Sequence, residues 1–125
     1  MPDNFKLLII DDSDVILDIL KRFLIQKNYD VSTALNGLEG IQLFNAQPAL
    51  FDLVITDMVM PDISGVGVIS ILKKERPDIP IIAITGYGPH AEILASEANA
   101  DIILEKPIDL SVLNKHIISL ITKAQ

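Results

Sequence analysis

Residues 54–65 read VITDMVMPDISG, in which an apolar run ends on Asp57 and is followed by a segment that contains proline and glycine. The apolar side chains at 53–55 follow one another without alternation, which is typical of a strand buried on both faces of a sheet. An aspartate that only decorated a surface loop would need no buried strand leading to it. We therefore predict a strand at Asp52–Thr56 that ends beside Asp57 at the edge of a sheet.

Four other short apolar runs along the chain have the character of strands. They are Phe5–Ile10, Asp30–Ala34, Pro80–Ile84 and Asp101–Leu104. Amphipathic stretches lie between them, and strands that are apolar at consecutive positions and separated by helices are typical of a parallel sheet covered on both faces. With right-handed crossovers, the pattern predicts a doubly wound α/β domain.

The amphipathic stretches have helical periodicity. Ser13 is the predicted N-cap of the first helix, and Asn36 with Gly37 marks the turn before the second. A short helix before the fifth strand is predicted to leave Ile93 off its buried stripe. The side chains predicted to face inward are, in chain order, Ile16, Ile19, Leu20, Phe23; Leu38, Ile41, Phe44; Val68, Ile69, Leu72; Ala91, Leu94, Ala95, Ala98; and Leu110, Leu113, Ile117, Ile121.

Length and composition restrict the possible functions. The 125 residues fit one domain, 1–125, with a core at about 5–122. The net charge of −7 argues against direct binding to nucleic acid, and the absence of cysteine excludes disulfides and thiolate metal sites. No run approaches the ~18 apolar residues of a membrane span, so we expect a cytoplasmic protein without membrane insertion.

Polar residues stand out at the carboxyl ends of the predicted strands. Asp11 and Asp12 follow the first strand, Asp57 the third and Thr85 the fourth, while Lys106 lies just beyond the fifth. In doubly wound sheets, ligands bind beyond the carboxyl ends of the strands, where the strand order reverses. We therefore expect these side chains to share one site.

Three carboxylates at one site repel one another, because two of them about 5 Å apart cost roughly 3 kcal/mol at an effective dielectric near 20. Lys106 supplies one compensating charge, and a divalent cation would supply two more. Carboxylate and carbonyl oxygens favour Mg²⁺ or Mn²⁺ over Zn²⁺. An aspartate can attack phosphorus to form an acyl phosphate, so the residue set is suited to phosphorylation of Asp57.

These residues and their order resemble the receiver domain of two-component response regulators, and the resemblance covers essentially the whole chain. It implies a (βα)5 flavodoxin-like fold with a five-stranded parallel sheet in the order 2-1-3-4-5 and helices on both faces. It also implies that Asp57, in DMVMPDISG, is the phosphoacceptor. Asp12 then resembles a direct metal ligand, Asp11 a ligand acting largely through a metal-bound water, and the Val59 carbonyl the third protein ligand.

The resemblance extends to the residues that respond to phosphorylation. Thr85 resembles the switch hydroxyl and Lys106 the lysine that pairs with the phosphoryl group, and the bond from Lys106 to Pro107 is expected to be cis. One position departs from the family pattern, because Ile103 stands where a Tyr or Phe is usual and has no phenol to expose. Tyr87, on a loop with glycine on either side, is a candidate for shielding the acyl phosphate from water.

The function implied by the resemblance is that of a stand-alone, chemotaxis-regulator-like response regulator in a two-component phosphorelay. A sensor histidine kinase or a histidine phosphotransfer protein would donate the phosphoryl group in a magnesium-dependent reaction. The altered surface would then bind a downstream protein, with the regulator a monomer or a weak homodimer. Such a domain promotes its own phosphorylation and dephosphorylation at Asp57 and is not a conventional enzyme.

Several alternatives remain open. Each residue taken singly has a structural explanation, such as acids that favour a helix N-terminus or an aspartate that forms a turn. An aspartyl-phosphate hydrolase of the haloacid dehalogenase class would place a second acid two residues after Asp57, where this chain has Val59. A flavodoxin-like nucleotide binder would have an uncharged ligand-binding loop after the first strand. A receiver that is insensitive to phosphorylation would act as a binding module.

Overall fold

The computed structural model describes residues 4–86, 93, 96 and 98–124. Its strands are β1 Lys6–Ile10, β2 Asp30–Ala34, β3 Leu53–Asp57, β4 Ile81–Thr85 and β5 Ile102–Glu105. The helices with described bounds are α1 Asp14–Gln26, α2 Gly37–Ala46, α3 Gly65–Glu75 and α4 Leu110–Ala124. The strands form one five-stranded sheet in the order β2-β1-β3-β4-β5, and every pairing is parallel. This confirms the predicted doubly wound fold.

The sheet separates two hydrophobic clusters. Alternate residues of β1 enter opposite clusters, because successive side chains of a strand point to opposite faces. One cluster lies under α2 and α3, and the other lies under α1 and α4. Both faces of the central strands are therefore dry, which is why their sequences are apolar at consecutive positions.

The buried face of α1 differs from the prediction. Leu17, Leu20 and Leu24 are its buried residues, whereas Ile19 is 50% exposed and Ile16 is only partly buried. The apolar face of the helix is wider than the part that is buried, so periodicity does not say which side of that face meets the sheet, and packing selects the leucines. In α2, similarly, the predicted inward residue Leu38 is 50% exposed.

The other predicted helix faces have mixed outcomes. In α3 and α4, the predicted inward side chains of Val68, Ile69, Leu72, Leu113, Ile117 and Ile121 are buried, and Leu110 is partly buried. Ser13 is the N-cap of α1, since its side chain accepts a hydrogen bond from the backbone N–H of Ile16. Ile93 is exposed as predicted. Ala91, Leu94 and Ala95, predicted to lie in the same helix, are outside the described residues.

Three strands run one residue further than predicted, and this shift positions the site. Asp57 pairs with Ile84, and Thr85 pairs with Glu105, so both polar residues belong to the regular sheet. The backbone that carries these two side chains is therefore held by the hydrogen bonds of the sheet rather than by a loop. No helix within residues 4–86 or 98–124 combines the length and the apolar character that crossing a membrane requires.

Candidate functional site

Three carboxylates meet at the carboxyl edge of the sheet. Asp11 and Asp12 follow β1, and Asp57 ends the neighbouring strand β3, so the pairing of those strands brings the acids together. Each of the three offers an oxygen that lies within 4.8 Å of the other two. Asp11 and Asp57 are buried, at 1% and 4% exposure, while Asp12 is exposed.

The two buried carboxylates are oriented by backbone N–H groups. The N–H of Ser13 donates to Oδ1 of Asp11 at 2.9 Å, and the N–H of Met58 donates to Oδ1 of Asp57 at 2.9 Å. Burial raises the pKa of both carboxyls above the ordinary value of 3.8, and the neighbouring acids raise it further. Lys106 opposes this rise in the pKa of each group. The site therefore holds anionic charge at a cost in free energy.

Lys106 lies directly after β5, at the same edge of the sheet. Its Nζ is 3.4 Å from Oδ1 of Asp57 and 3.9 Å from Oδ2 of Asp11. Its backbone N–H donates to the carbonyl of Thr85 at 2.9 Å, which continues the ladder between β4 and β5. The peptide bond from Lys106 to Pro107 is cis. One ammonium group is thus shared by the two buried carboxylates.

Thr85 ends β4 and is fully buried, at 0% exposure. Its hydroxyl Oγ1 has no hydrogen-bond partner within the described part of the chain. A buried hydroxyl without a partner loses the hydrogen bonds that water would give it. Such a group keeps both a donor and an acceptor available for a hydrogen bond.

A cavity of about 290 Å³ opens at this edge of the sheet, and neither Thr85 nor Asp11 is among its described lining residues. Its lining consists of Asp12, Asp57, Val59, Gly86 and Lys106. The side chain of Val59 is 68% exposed. The predicted phosphoacceptor, one predicted metal ligand, the predicted carbonyl ligand and the predicted lysine therefore border a single cavity.

The donor set fits a hard divalent cation. All three members of the acidic group are carboxylates, and Oδ2 of Asp11 is buried with no hydrogen-bond partner among the described residues. A metal bound here would give that oxygen a partner and offset the mutual repulsion of the acids. Oxygen donors of this type suit Mg²⁺ and Mn²⁺.

Gly65 explains part of how Asp57 is held. Its backbone N–H donates to the carbonyl of Met58 at 3.0 Å, which closes the loop between β3 and α3. A Cβ at Gly65 would lie 2.5 Å from the carbonyl oxygen of Asp57 and 2.6 Å from Cα of Met58. Only glycine permits this approach, so the broken segment after Asp57 folds back against the strand that carries it.

Two further predicted residues lie away from the carboxylates or outside the description. Ile103 is in β5, is partly buried and packs against the cluster under α2 and α3. Tyr87, the predicted shield of the phosphoryl group, lies outside the described residues.

Asp62 is a residue to which the sequence assigned no role. It lies in the loop after Asp57, and its carboxylate accepts hydrogen bonds from the backbone N–H groups of Gly37 and Leu38. These contacts join segments 25 and 24 residues apart. No local spacing rule reports such a long-range cap, so the sequence carried no signal for it.

A second, mainly apolar cavity of about 540 Å³ adjoins the site between α1 and the segment after β5. Lys106 and Gly86 line both cavities. The other lining residues are Ile16, Ile19, Leu20, Pro107, Ile108 and Leu110.

Several known proteins are similar in sequence to this chain. The Response regulator PilR of Pseudomonas aeruginosa is 36% identical over 111 residues, which are 88% of this chain and 24% of PilR. A probable transcriptional regulator, ycf27 of Cyanidium caldarium, is 37% identical over 120 residues, which are 95% of this chain and 47% of the relative. The chain thus spans about half the length, or less, of these curated relatives.

Solved structures show the same fold. A response regulator receiver domain protein from Clostridium thermocellum superposes with a TM-score of 0.90 at 35% identity, covering 95% of each chain. A CheY-like receiver domain protein from Methanospirillum hungatei superposes with a TM-score of 0.92 at 28% identity, covering 98% of this chain and 97% of the other. The family model described as the response regulator receiver domain matches residues 7–118. With its sheet order and its acidic edge, the chain therefore belongs to the family of response regulator receiver domains.

Proposed function

We propose that Asp57 accepts a phosphoryl group from the phosphohistidine of a sensor histidine kinase or a histidine phosphotransfer protein. The observation that carries the proposal is the environment of its carboxylate. It is 4% exposed, lies within 4.8 Å of two other carboxylates and is 3.4 Å from Lys106. A buried acid with these neighbours is costly to maintain for packing alone, and it is suited to nucleophilic attack on a phosphoryl group.

In the transfer, a carboxylate oxygen of Asp57 attacks phosphorus and an O–P bond forms. The P–N bond breaks, and its electron pair remains on the imidazole nitrogen of the donor. Lys106 neutralises charge on the phosphoryl oxygens. Mg²⁺ or Mn²⁺, held by Asp11, Asp12, Asp57 and the carbonyl of Val59, would add positive charge against those oxygens when bound.

The cavity beside α1 supports a protein donor. It is lined mainly by apolar side chains, including that of Ile19, which is 50% exposed. Val15 lies one turn before Ile19 in α1 and is 64% exposed. Apolar surface rimmed by polar residues is typical of protein contact sites. A donor that packs there would present its phosphohistidine to the adjoining cavity, since Lys106 lines both.

The output of the domain is proposed to be a protein-binding surface that changes on phosphorylation. Support comes from Thr85, whose buried hydroxyl ends the strand next to β3 and has no hydrogen-bond partner among the described residues, which leaves it free to bond a phosphoryl oxygen. Because Ile103 lacks a phenol and is partly buried, a receiver that binds its partner without switching is the second candidate. Beryllofluoride with Mg²⁺, followed by NMR, separates the two: amide shifts in β5 and α4 support the switch, whereas shifts confined to the cavity support the static module.

Intact-mass spectrometry tests the acceptor itself. We expect the protein to gain one phosphoryl group from acetyl phosphate and Mg²⁺, to lose it in hydroxylamine and to gain none with EDTA. The variant Asp57→Asn should stay unmodified, whereas Asp78→Asn, an exposed acid that pairs with Arg76, should be modified like the wild type. Modification of Asp57→Asn at the wild-type rate would refute the assignment.

The same preparation tests the hydrolase alternative. The position two residues after Asp57 is Val59, which carries no proton for a leaving group. We therefore expect no steady release of phosphate from p-nitrophenyl phosphate, and an acyl phosphate that persists long enough to be isolated. Continuous turnover that Asp57→Asn abolishes would instead favour the hydrolase.

A further inference from the structure

The loop between β3 and α3 is fastened to the start of α2 by one side chain. Oδ1 of Asp62 accepts from the N–H of Gly37 at 3.2 Å, and Oδ2 accepts from the N–H of Leu38 at 2.9 Å. These are the first two N–H groups of the helix, which have no partner inside it. A single carboxylate of the loop therefore bridges both of them.

This bridge is separate from the local cap of α2. The side chain of Asn36 accepts from the N–H of Glu39 at 2.8 Å, as an ordinary N-cap does. Asp62 is exposed, and the N–H of Leu38, together with other backbone N–H groups, lowers its pKa. It therefore remains an anion with two acceptor oxygens at neutral pH, next to the positive end of the helix dipole.

Close packing accompanies the bridge. A Cβ at Gly37 would lie 2.8 Å from the carbonyl oxygen of Ile63 and 3.0 Å from its Cβ, so the loop and the helix start are in direct contact. At its other end the loop is closed by the hydrogen bond from Gly65 to Met58. Val59 lies between these two attachments, and it lines the cavity that contains Asp57.

We infer that Asp62 is a positioning residue. By fastening the loop to the N-terminus of α2, it fixes the position of the Val59 carbonyl. This inference rests on the proposed function, because a position for that carbonyl matters only if the cavity holds a metal and a phosphoryl group. With the bridge removed, the segment 59–63 is held only by packing and by the hydrogen bond from Gly65 to Met58 that closes the loop. The affinity for Mg²⁺ then falls, although all the acidic ligands remain.

The test compares Asp62→Asn with Asn36→Ala. The first variant keeps the size of the side chain but turns an amide NH₂ group toward one of the two helix N–H groups, so the bridge is broken. The second removes the local cap of the same helix and leaves the loop bridge intact. Calorimetric titration with Mg²⁺ and hydrogen–deuterium exchange of the metal-free proteins are measured for both variants and for the wild type.

For Asp62→Asn we expect a Mg²⁺ dissociation constant raised roughly tenfold, the scale on which residues that orient metal ligands act. Exchange across 58–63 should be faster, while Asn36→Ala keeps the wild-type affinity and loop exchange. Wild-type Mg²⁺ affinity in Asp62→Asn overturns the inference. An equal loss in Asn36→Ala overturns it as well, because the effect would then come from the stability of the helix.

Circular dichroism identifies any variant that fails to fold. If Asp62→Asn is unfolded, Gly37→Ala tests whether the position of the loop controls Mg²⁺ affinity. Its added methyl group pushes Ile63 away, while the Asp62 carboxylate remains. The same tenfold weakening supports the inference, and unchanged affinity contradicts it. A wild type that neither binds Mg²⁺ nor accepts a phosphoryl group would refute the proposed function, and the loop exchange of the metal-free proteins would still show whether Asp62 fastens the loop.

Discussion

The ammonium nitrogen of Lys106 lies 3.4 Å from Oδ1 of Asp57, and the same nitrogen lies 3.9 Å from Oδ2 of Asp11. Asp57 is the last residue of β3, and Lys106 follows the last residue of β5. These two strands do not pair with each other, because β4 lies between them. The contact therefore depends on the register of two strand pairings, β3 with β4 and β4 with β5. Because Lys106 is 29% exposed, solvent reduces what the ion pair contributes to stability, and its larger effect is expected on phosphoryl transfer.

The variant Lys106→Met should accept phosphate from acetyl phosphate at least about 100-fold more slowly than the wild type, because it lacks the charge that stabilises the phosphoryl oxygens. Stopped-flow mixing or timed mass spectrometry gives the rate. Lys115→Met, which removes an exposed lysine of α4, is the matched control and should react normally. A wild-type rate in Lys106→Met would show that the lysine does not contact the transferring group.

The variant Asp57→Asn should be more stable than the metal-free wild type by about 1–2 kcal/mol near neutral pH, because it removes a charge that is buried and that lies beside two other acids. Since the folded pKa of Asp57 is raised above 3.8, the protonated wild type loses no stability below that value. As the pH rises through the folded pKa, the wild type loses stability relative to the variant. Urea denaturation in EDTA at acidic and neutral pH measures this difference, and an equal difference at both pH values would contradict the charge explanation.

Magnesium should reverse this order of stability. A metal that binds only the folded state stabilises it by mass action, and Asp57→Asn lacks one of the proposed ligands. We expect the unfolding midpoint of the wild type to rise with Mg²⁺ concentration, and that of the variant to rise less. Parallel increases in both proteins would mean that Asp57 is not a ligand.

The variant Thr85→Val replaces a buried hydroxyl without a described partner by a methyl group of similar size. It should keep or increase the free energy of unfolding, by up to about 1 kcal/mol, because no buried polar group is left unpaired. Its phosphorylation should persist, while the amide shifts induced by beryllofluoride in β5 and α4 should shrink. Thr85→Ser, which keeps the hydroxyl, is the control, and shifts of wild-type size in Thr85→Val would exclude the hydroxyl from the switch.

The variant Gly65→Ala should lose about 1–3 kcal/mol of stability, because its Cβ would meet the backbone of Asp57 and Met58. Its phosphorylation should also slow, since relief of the clash moves the acceptor. Gly86→Ala is a matched control, because a Cβ there meets no atom of the described residues within 4 Å. Chemical denaturation of the two variants compares them directly, and equal stability would refute the close approach at Gly65.

The fold followed closely from the sequence, and the limits of the prediction have physical causes. Consecutive apolar residues marked four of the five strands, whereas β2 has only Val31 and Ala34 as apolar side chains. Polar side chains hid the last residues of β3 and β4. Asp57 and Thr85 still form ladder pairs, because hydrogen bonding by the backbone does not depend on side-chain polarity. On α1, the apolar face is wider than its buried part, so the sequence did not show which side of that face meets the sheet.

The site was predicted as a set of residues but not as a geometry. The ends of neighbouring strands placed Asp11, Asp12 and Asp57 together, and parallel pairing made this inevitable once the strand order was right. The contact distances of Lys106 and the isolation of the Thr85 hydroxyl depend on side-chain packing that spacing does not encode. Asp62 shows the limit most clearly, because its partners are more than 20 residues away in sequence.

The pairing of Asp57 with Ile84, and of Thr85 with Glu105, has a consequence for assays of this protein. A slip of one residue in the first pairing would turn Asp57 to the opposite face of the sheet, and a slip in the second would move Lys106 away from it. Partly folded or misregistered chains would then be chemically inert toward a phosphodonor. The amount of phosphoryl group taken up from a small phosphodonor would therefore measure the fraction of correctly folded molecules in a preparation.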